Sequence, residues 1–504
     1  MKLRPYKGGA SGLCHYIDTF DGAKPRFLNR GKKRRSVSTL SIPRDSDRGV
    51  EWVDYCPALE ACPEAYWFRA GLSRNHSMES YPFDHLNITL NKEGAKEFVK
   101  VSFPIRYGLF SEIQTPDYLF QFNLNGEIKY IQGRSRNWPH PAEWLKRTVA
   151  NDWIYYGAGD YQGFYDLMGE YYFPYLSYPS NTLLDDDPLG EEAVKAAIRS
   201  WSMVQTEMKE LISGPMPQNL RDFLTRIAEN DEKALGLRSQ RLHHLIGGPV
   251  TVLPPDARHV DYEVIPVIVA DGCLYHCGFC RVKSGGDFKP RTQKEILQQI
   301  KNLKQFYGRD LHNYNAVFLG LHDALCAGRE LIEFAAEKAY QLFEFERSYL
   351  RGCHLFLFGS VDSMIDSKEK LFDSLNSLPF STYLNIGLES ADSTTLAWLG
   401  KPVAVERVRE VFTRMLEINR NYEKIEVTAN FVLGEDLPPS HLSSLFELIR
   451  DRIEFPCHKG ALYPSPLVDG EMKEREAKKE MLRKFKKLKI ESRLPTFLYL
   501  IQRL

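Results

Sequence analysis

Three cysteines within eight residues are the part of this 504-residue chain best suited to do chemistry. Cys273, Cys277 and Cys280 are spaced C-x3-C-x2-C and follow Val264 to Ala270, an apolar run that predicts a buried strand. Thiolate sulfur favours zinc or an iron–sulfur cluster. Zinc usually takes a fourth ligand, and His276 is badly placed to share one tetrahedral site with all three thiols. A 4Fe-4S cluster on three thiolates would keep one iron open for a cofactor.

The aromatic residue Phe279, just before the last cysteine, completes a motif that resembles the signature of the radical S-adenosylmethionine (radical SAM) enzymes. The resemblance implies that Cys273, Cys277 and Cys280 hold a [4Fe-4S] cluster and that its open iron binds S-adenosyl-L-methionine (SAM). It also implies reductive cleavage of SAM to a 5′-deoxyadenosyl radical, with electrons from a flavodoxin or ferredoxin. Three structural cysteines or a zinc knuckle are the alternative.

The chain after the cysteines alternates strands and helices, which predicts βαβ units and a parallel sheet. Thr292 and Glu295 predict a capping box that opens a helix ending near Tyr307. Together with the strand before the cysteines, there are six predicted strands: Val264–Ala270, Ala316–Leu319, Leu355–Phe358, Tyr383–Gly387, Ile425–Leu433 and Gly460–Tyr463. The fold class is therefore α/β, and the resemblance, over Tyr262 to Leu467, implies a partial (β/α)6 barrel. It is greatest to the branch of coproporphyrinogen dehydrogenase, the Elongator catalytic subunit and the methylthiotransferases.

Two further stretches resemble SAM-binding motifs at the ends of strands. After the second strand, Gly320 and Asp323 lie where the family has its Gly-Gly-Glu motif, although this sequence departs from that pattern. A carboxylate there would accept hydrogen bonds from the SAM ammonium, but Asp323 could equally cap the next helix. After the fourth strand, Glu389 and Ser390 are candidates to hold SAM, with Glu389 on its ribose hydroxyls or its ammonium.

The end of the fifth strand carries the last of these landmarks. Leu433 and Gly434 resemble the motif that binds adenine through its backbone, with the glycine allowing a close approach. The three landmarks come in the family's order, each after a predicted strand. We therefore expect them to meet the cysteines at the carboxyl end of the barrel.

The domains are predicted from shifts in composition. Residues 1–80 form an irregular amino-terminal segment, residues 81–245 an aromatic-rich, partly antiparallel β and then helical domain, residues 255–468 the barrel, and residues 469–504 a charged helix and tail. Asn125-Gly126 predicts a two-residue hairpin turn. The aromatic sheet is expected either to be an ordinary core or to cover the open mouth of the barrel, because a radical must be kept from water.

Cys14, Cys56 and Cys62 are spaced more loosely than the three clustered cysteines. They could hold an auxiliary cluster, but free buried thiols are the simpler interpretation. The basic run Gly31 to Arg35 is interpreted as a solvated loop.

The overall composition gives only coarse information about the partners, location and function of the protein. The 66 basic and 66 acidic residues balance, so no global field attracts nucleic acid or an anionic membrane. With no run of 18 apolar residues and an odd number of cysteines, we expect a cytoplasmic protein without a membrane span. The expected function is a radical SAM oxidoreductase or transferase that acts on a small molecule or cofactor precursor. RNA modification and a non-catalytic Fe-S or haem carrier are the alternatives.

Overall fold

The computed structural model describes residues 77–159, 161–176, 181, 187–280, 286–453, 458–467 and 475–504. Ser73–Leu504 forms one compact unit. Cys14, Cys56, Cys62 and almost all of the predicted irregular segment lie outside the described residues. Within the described residues, no helix is both long and apolar enough to cross a membrane.

The amino-terminal region is an eight-stranded antiparallel sheet in which each strand pairs with the next. Its strands are β1 (Glu79–Pro82), β2 (Asn87–Glu93), β3 (Leu109–Gln114), β4 (Tyr118–Phe122), β5 (Ile128–Gly133), β6 (Trp144–Arg147), β7 (Trp153–Ala158) and β8 (Tyr172–Tyr175). The predicted antiparallel sheet is confirmed, although the β4–β5 hairpin loop spans residues 123–127 rather than two residues. Gly126 in that loop has φ +79°, which glycine adopts without strain.

The carboxyl-terminal region contains a six-stranded parallel sheet in the order β9, β12, β13, β14, β15, β16. These strands are β9 (Ile265–Val267), β12 (Ala316–Leu319), β13 (His354–Gly359), β14 (Ser381–Glu389), β15 (Ile425–Leu433) and β16 (Leu462–Pro466), and a short ribbon pairs β10 (Ala270–Asp271) with β11 (Lys289–Pro290). All six predicted strands are present, so the predicted α/β partial barrel is confirmed.

Twelve α-helices occur among the described residues. They are α1 (Asp166–Met168), α2 (Glu192–Leu211), α3 (Gln218–Glu229), α4 (Glu232–Ile246), α5 (Gln293–Tyr307), α6 (Arg329–Leu342), α7 (Val361–Asp366), α8 (Glu369–Ser377), α9 (Ser393–Trp398), α10 (Val405–Asn421), α11 (Ser440–Phe446) and α12 (Arg475–Glu491). Thr292 and Glu295 form the predicted capping box of α5. Helices α3 and α4 are separate, because Asp231 caps α4 by accepting a hydrogen bond from the Ala234 N–H.

The carboxyl-terminal tail closes the gap between the first and last strands of the barrel. The Leu462 N–H donates to the Pro495 carbonyl (2.8 Å), and the Tyr499 N–H donates to the Pro464 carbonyl (2.9 Å). Further along, the Leu253 N–H donates to the Gln502 carbonyl (2.9 Å). The tail therefore extends beside β16 and reaches the segment that leads into β9.

The amino-terminal sheet packs at the amino ends of the barrel strands. Asn125 donates to the Tyr307 carbonyl (2.9 Å), and Lys129 pairs with Glu263 (2.9 Å). Asn313 donates to the Leu109 carbonyl (2.8 Å). Tyr307 and Asn313 precede β12, and Glu263 precedes β9. The expectation that this sheet covers the cysteine end of the barrel is therefore wrong, because these contacts place it at the opposite end.

Candidate cluster and cofactor site

The cysteine loop begins where β9 ends and is fastened at its base. In the β10–β11 ribbon Asp271 pairs with Lys289, and the Asp271 carboxylate forms an ion pair with Arg291 (2.5 Å). The Cys273 N–H donates to the Gly286 carbonyl (3.3 Å). Gly272 has φ +78°, and a Cβ there would clash with the Asp287 carbonyl. A glycine is therefore required at this turn, immediately before the first cysteine.

The middle of the loop packs against the turn that follows α9. The Phe279 N–H donates to the Leu399 carbonyl (3.3 Å), and Gly278 and Gly400 approach so closely that an added Cβ on Gly400 would lie 3.0 Å from the Gly278 nitrogen. Phe279 itself is half-buried. The loop is thus held at its first cysteine, Cys273, and again just before its last cysteine, Cys280.

The three thiols differ in how deeply they are buried, and burial raises the pKa of two of them. Cys277 is buried, whereas Cys273 and Cys280 are partly exposed. Burial raises the pKa of Cys277 to about 11, although the Lys401 ammonium opposes the shift, and burial also raises the pKa of Cys273. Among the described residues no three His, Cys, Asp or Glu side chains are already arranged as a metal site. Binding a metal would therefore require the thiols to lose protons and converge.

Glu389, at the end of β14, lies within electrostatic range of the buried Cys277 thiol. It has φ +65°, unusual for a non-glycine residue, at an irregularity in the β14–β15 pairing. Lys401 lies beside it: its Nζ is 3.4 Å from Glu389 Oε1, donates to the Gly387 carbonyl (2.7 Å), and lies 5.4 Å from the centre of the Tyr275 ring. The Lys401 side chain is only 4% exposed. The Lys401 ammonium is a compact point charge, so it holds the Glu389 carboxylate in place while it faces the cysteine loop.

Ser390 lies in the same turn, but its hydroxyl is used inside the protein. It is fully buried, lies 2.9 Å from His441 Nδ1 and accepts from the Asp392 N–H (3.1 Å). The other ring nitrogen of His441 is 3.0 Å from the Val432 carbonyl, and burial lowers the pKa of His441. A neutral imidazole that donates to Val432 and accepts from Ser390 satisfies both contacts. This chain connects the ends of β14 and β15.

Asp323 caps the short helical turn at residues 324–327, as the alternative interpretation expected. Its Oδ1 accepts from the Cys326 N–H (3.3 Å) and from the Ser363 hydroxyl (2.7 Å). The Ser360 N–H also donates to it, at 3.2 Å. Burial raises the pKa of Asp323 although these bonds oppose the shift. Its Oδ2, however, is buried and has no hydrogen-bond partner among the described residues.

The glycine and leucine landmarks have local structural roles. Gly320 has φ +82° and donates its N–H to the Val267 carbonyl (2.9 Å), which joins the ends of β12 and β9. The Leu433 carbonyl accepts from the Leu467 N–H (2.8 Å), and the Gly434 carbonyl accepts from Lys484 (3.1 Å). These two carbonyls are therefore already bonded within the protein.

A cavity of about 1170 Å³, partly open to solvent, opens beside the cysteine loop. It is bordered by Leu274 of that loop and by Cys326. Its charged lining consists of Arg329, Asp362, Asp366, Lys368, Lys370 and Arg407. Cations outnumber acids in this lining.

The residues present fit an iron–sulfur cluster and SAM. Three thiols share one fastened loop, glycines allow the backbone to approach closely, and the unpartnered Asp323 Oδ2 offers an acceptor beside them. Sequence reasoning missed Lys401, Tyr275 and His441. Lys401 directly follows Gly400, but its importance depends on the packing of that turn against the cysteine loop, which no local pattern predicts.

The described geometry agrees with one comparison by sequence. Residues 267–449 match the family model described as the radical SAM superfamily. No curated protein matches the chain.

Solved structures give weak similarities. The cobalamin-dependent SAM radical enzyme OxsB is 15% identical over 45% of this chain, with a TM-score of 0.28, and only 30% of OxsB is covered. SuiB of Streptococcus suis, bound to SAM, is 11% identical over 76% of this chain and 71% of its own, with a TM-score of 0.31. Coproporphyrinogen III oxidase of Escherichia coli is 12% identical over 52% of this chain and 56% of its own, with a TM-score of 0.31.

Proposed function

We propose that this chain is a radical SAM enzyme that abstracts hydrogen from a small molecule, with a [4Fe-4S] cluster and SAM as its cofactors. The proposal starts from the match of residues 267–449 to the radical SAM superfamily. The cluster would be held by Cys273, Cys277 and Cys280. When bound, the cluster and SAM supply a one-electron cleavage that yields a 5′-deoxyadenosyl radical. The observation that carries the proposal is the cysteine loop at the carboxyl end of β9, with Glu389 near its buried thiol.

The protein's own groups would bind and orient SAM. Glu389, fixed by Lys401, would accept hydrogen bonds from the SAM ammonium or ribose hydroxyls, and Asp323 Oδ2 would be a second acceptor. Ser390 would position the strand ends through His441 rather than touch SAM. Leu433 and Gly434 would contribute shape, because their carbonyls are bonded within the protein.

Replacing each cluster cysteine tests the proposal. Cys273→Ala, Cys277→Ala and Cys280→Ala should each abolish reductive SAM cleavage in anaerobically reconstituted protein, because the open iron needs all three thiolates. The measurement is 5′-deoxyadenosine formed with dithionite, together with the iron and sulfide content.

Cys353→Ala is the matched control, because Cys353 precedes β13 at the opposite end of the barrel. It should keep the iron content and the cleavage rate.

A wild-type protein that binds the cluster but does not cleave SAM would instead support the carrier alternative. Loss of about four of eight irons on replacing Cys14, Cys56 and Cys62 would reveal an auxiliary cluster.

The cavity beside the cysteine loop supports a small-molecule substrate. Its excess of cations favours a substrate with a carboxylate or similar anionic group. A low-molecular-weight cell extract should therefore accelerate SAM consumption, while purified RNA should not. Acceleration by RNA alone would favour the RNA-modifying alternative. Flavodoxin or ferredoxin is the proposed reductant, and a cytoplasmic location is proposed because the cluster needs a reducing compartment.

A further inference from the structure

A second cavity lies at the other end of the barrel, between the amino-terminal sheet and the barrel. It is partly open to solvent. Trp144 of β6, Tyr156 of β7 and Tyr172 of β8 line one side, and Arg258 and Tyr463 line the other. The candidate cluster and SAM residues are absent from its described lining.

The segment at residues 255–262 separates this cavity from the barrel interior. Asp256 accepts hydrogen bonds from Thr428 of β15 (2.6 Å) and from Tyr463 of β16 (2.6 Å). His259 stacks on Tyr383 of β14, with ring centres 4.8 Å apart. The segment thus plugs the amino end of the barrel, and a molecule in this cavity would not meet the radical.

Three polar atoms in the cavity lining have no hydrogen-bond partner in the part of the chain that the structure describes. Trp144 Nε1, Tyr172 Oη and Glu170 Oε1 are buried and have no hydrogen-bond partner among the described residues. Trp144 is only 7% exposed. Buried polar groups in native proteins are nearly always hydrogen-bonded, so these three atoms can each take a hydrogen bond from or give one to a molecule that enters the cavity. Together they offer an N–H donor, a hydroxyl and a carboxylate oxygen.

The cations around the cavity are already engaged. Lys100 pairs with Glu170 Oε2 (2.6 Å) and with Asp261 (3.0 Å). Lys146 pairs with Glu263 (2.6 Å). The Arg106 guanidinium lies over two aromatic rings, 4.4 Å from the centre of Tyr130 and 4.9 Å from that of Trp144. Arg258 donates to the Tyr463 hydroxyl (3.2 Å) and to the Gly169 carbonyl (3.3 Å). The two lysines are thus neutralised by acids and the two arginines are engaged by rings, a hydroxyl and a carbonyl, so the walls suit an uncharged, flat molecule.

We propose that this cavity binds an uncharged planar heteroaromatic molecule of the nucleobase class. A ring N–H or amino group would donate to Glu170 Oε1. Ring acceptors would receive hydrogen bonds from Trp144 Nε1–H and the Tyr172 hydroxyl, while the aromatic side chains provide the walls. The site is independent of the radical chemistry, because the plug at residues 255–262 separates them.

Binding of adenosine, guanosine and cytidine to the reconstituted full-length protein tests this site. At least one probe should bind, as measured by calorimetry and quenching of tryptophan fluorescence. Tyr172→Phe and Trp144→Phe should each weaken that binding about 5- to 100-fold, because each removes a partner of the ligand. Tyr161→Phe is the matched control, since Tyr161 is 63% exposed, and it should bind as the wild type does.

Two further measurements separate this site from the SAM site and from a structural role. The probe should bind equally well to Cys273→Ala, which lacks the proposed cluster site. Tyr172→Phe should leave the melting temperature of the ligand-free protein unchanged or raised, because it removes an unsatisfied buried hydroxyl. The proposal is overturned if no probe binds, if Tyr172→Phe and Trp144→Phe leave binding intact, or if Cys273→Ala abolishes it. A drop of several degrees in the melting temperature of Tyr172→Phe would also overturn it.

Discussion

Among single residues, Glu389 is the one whose environment most strongly indicates a ligand contact. Its strained φ of +65° and its fixed partner Lys401 are costly unless the carboxylate is needed in that position. Glu389→Ala should weaken SAM binding about 10- to 150-fold, because a lost hydrogen bond to a charged group costs about 1.5 to 3 kcal/mol. Equilibrium binding of SAM to the reconstituted protein measures this.

The visible spectrum of the cluster serves as the check on that variant and should not change. Glu435→Ala is the control, because Glu435 follows β15 but is exposed. Unchanged SAM affinity in Glu389→Ala would remove Glu389 from the site.

Lys401 should affect SAM binding through its contact with Glu389. Lys401→Met keeps the length of the side chain but removes the ammonium that fixes Glu389, so SAM affinity should fall about tenfold with iron content retained. Lys294→Met, a change at an exposed position of α5, should have no effect. If Lys401→Met bound SAM normally, Glu389 would be held by the backbone alone.

Candidate site residues could be predicted from the sequence only where they belong to a local pattern along the chain. The cysteine spacing and the acid after the fourth strand are local patterns, so Cys273 and Glu389 could be named from them. Lys401 and His441 act through contacts with turns distant in sequence. Ser390 shows the reverse case, because its position at a strand end predicts a ligand contact but does not predict that its hydroxyl also bonds to the buried His441.

Helix α12 docks against the rest of the protein through a few apolar side chains. Its charged sequence predicts a solvated or peripherally docked helix, and the structure shows a docked one: Met481, Phe485 and Leu488 are buried, and Phe485 packs in a cluster with Leu433 and Phe173. Phe485→Ala should destabilise the protein by about 3 to 5 kcal/mol, whereas Ile490→Ala, at an 83% exposed position, should have little effect. Urea unfolding of the two variants measures the difference, and equal stabilities would mean that α12 is not docked in solution.

The barrel strands were easier to predict than α12 because they are continuous apolar runs buried on both faces. The tail at residues 494–504 also contains a short apolar run, at residues 497–501. Such a run does not tell which strand it will pair with, and the pairing of the tail with β16 depends on the open edge of the barrel. Elements defined by a partner far away in sequence are the ones that periodicity misses.

In the whole molecule, the amino-terminal sheet and the barrel are joined by ion pairs between buried side chains. Glu263, just before β9, lies between Lys129 (2.9 Å) and Lys146 (2.6 Å) of the sheet. The Glu263 carboxylate keeps both of its lysine partners only while the sheet and the barrel stay together. The sheet therefore braces the amino ends of the strands.

This buried triad gives the protein a specific dependence on pH. Burial alone would raise the pKa of Glu263, but Lys129 and Lys146 outweigh it and lower the pKa to about 2, from 4.5. The carboxylate's contribution to stability is therefore fully present above pH 4.5 and is lost as the pH falls from 4.5 towards 2. A shift of this size corresponds to about 3 kcal/mol.

Glu263→Gln should accordingly be less stable than the wild type by about 3 kcal/mol at pH 7, and the gap should narrow steadily as the pH falls below 4.5. Urea unfolding of the cluster-free protein between pH 7 and pH 3 measures it without interference from an acid-labile cluster. Glu417→Gln, at an exposed position of α10, should follow the wild type at every pH. A gap between Glu263→Gln and the wild type that stayed constant down to pH 3 would mean that Glu263 stabilises the junction through packing rather than through its charge, because only the charged form is lost on acidification.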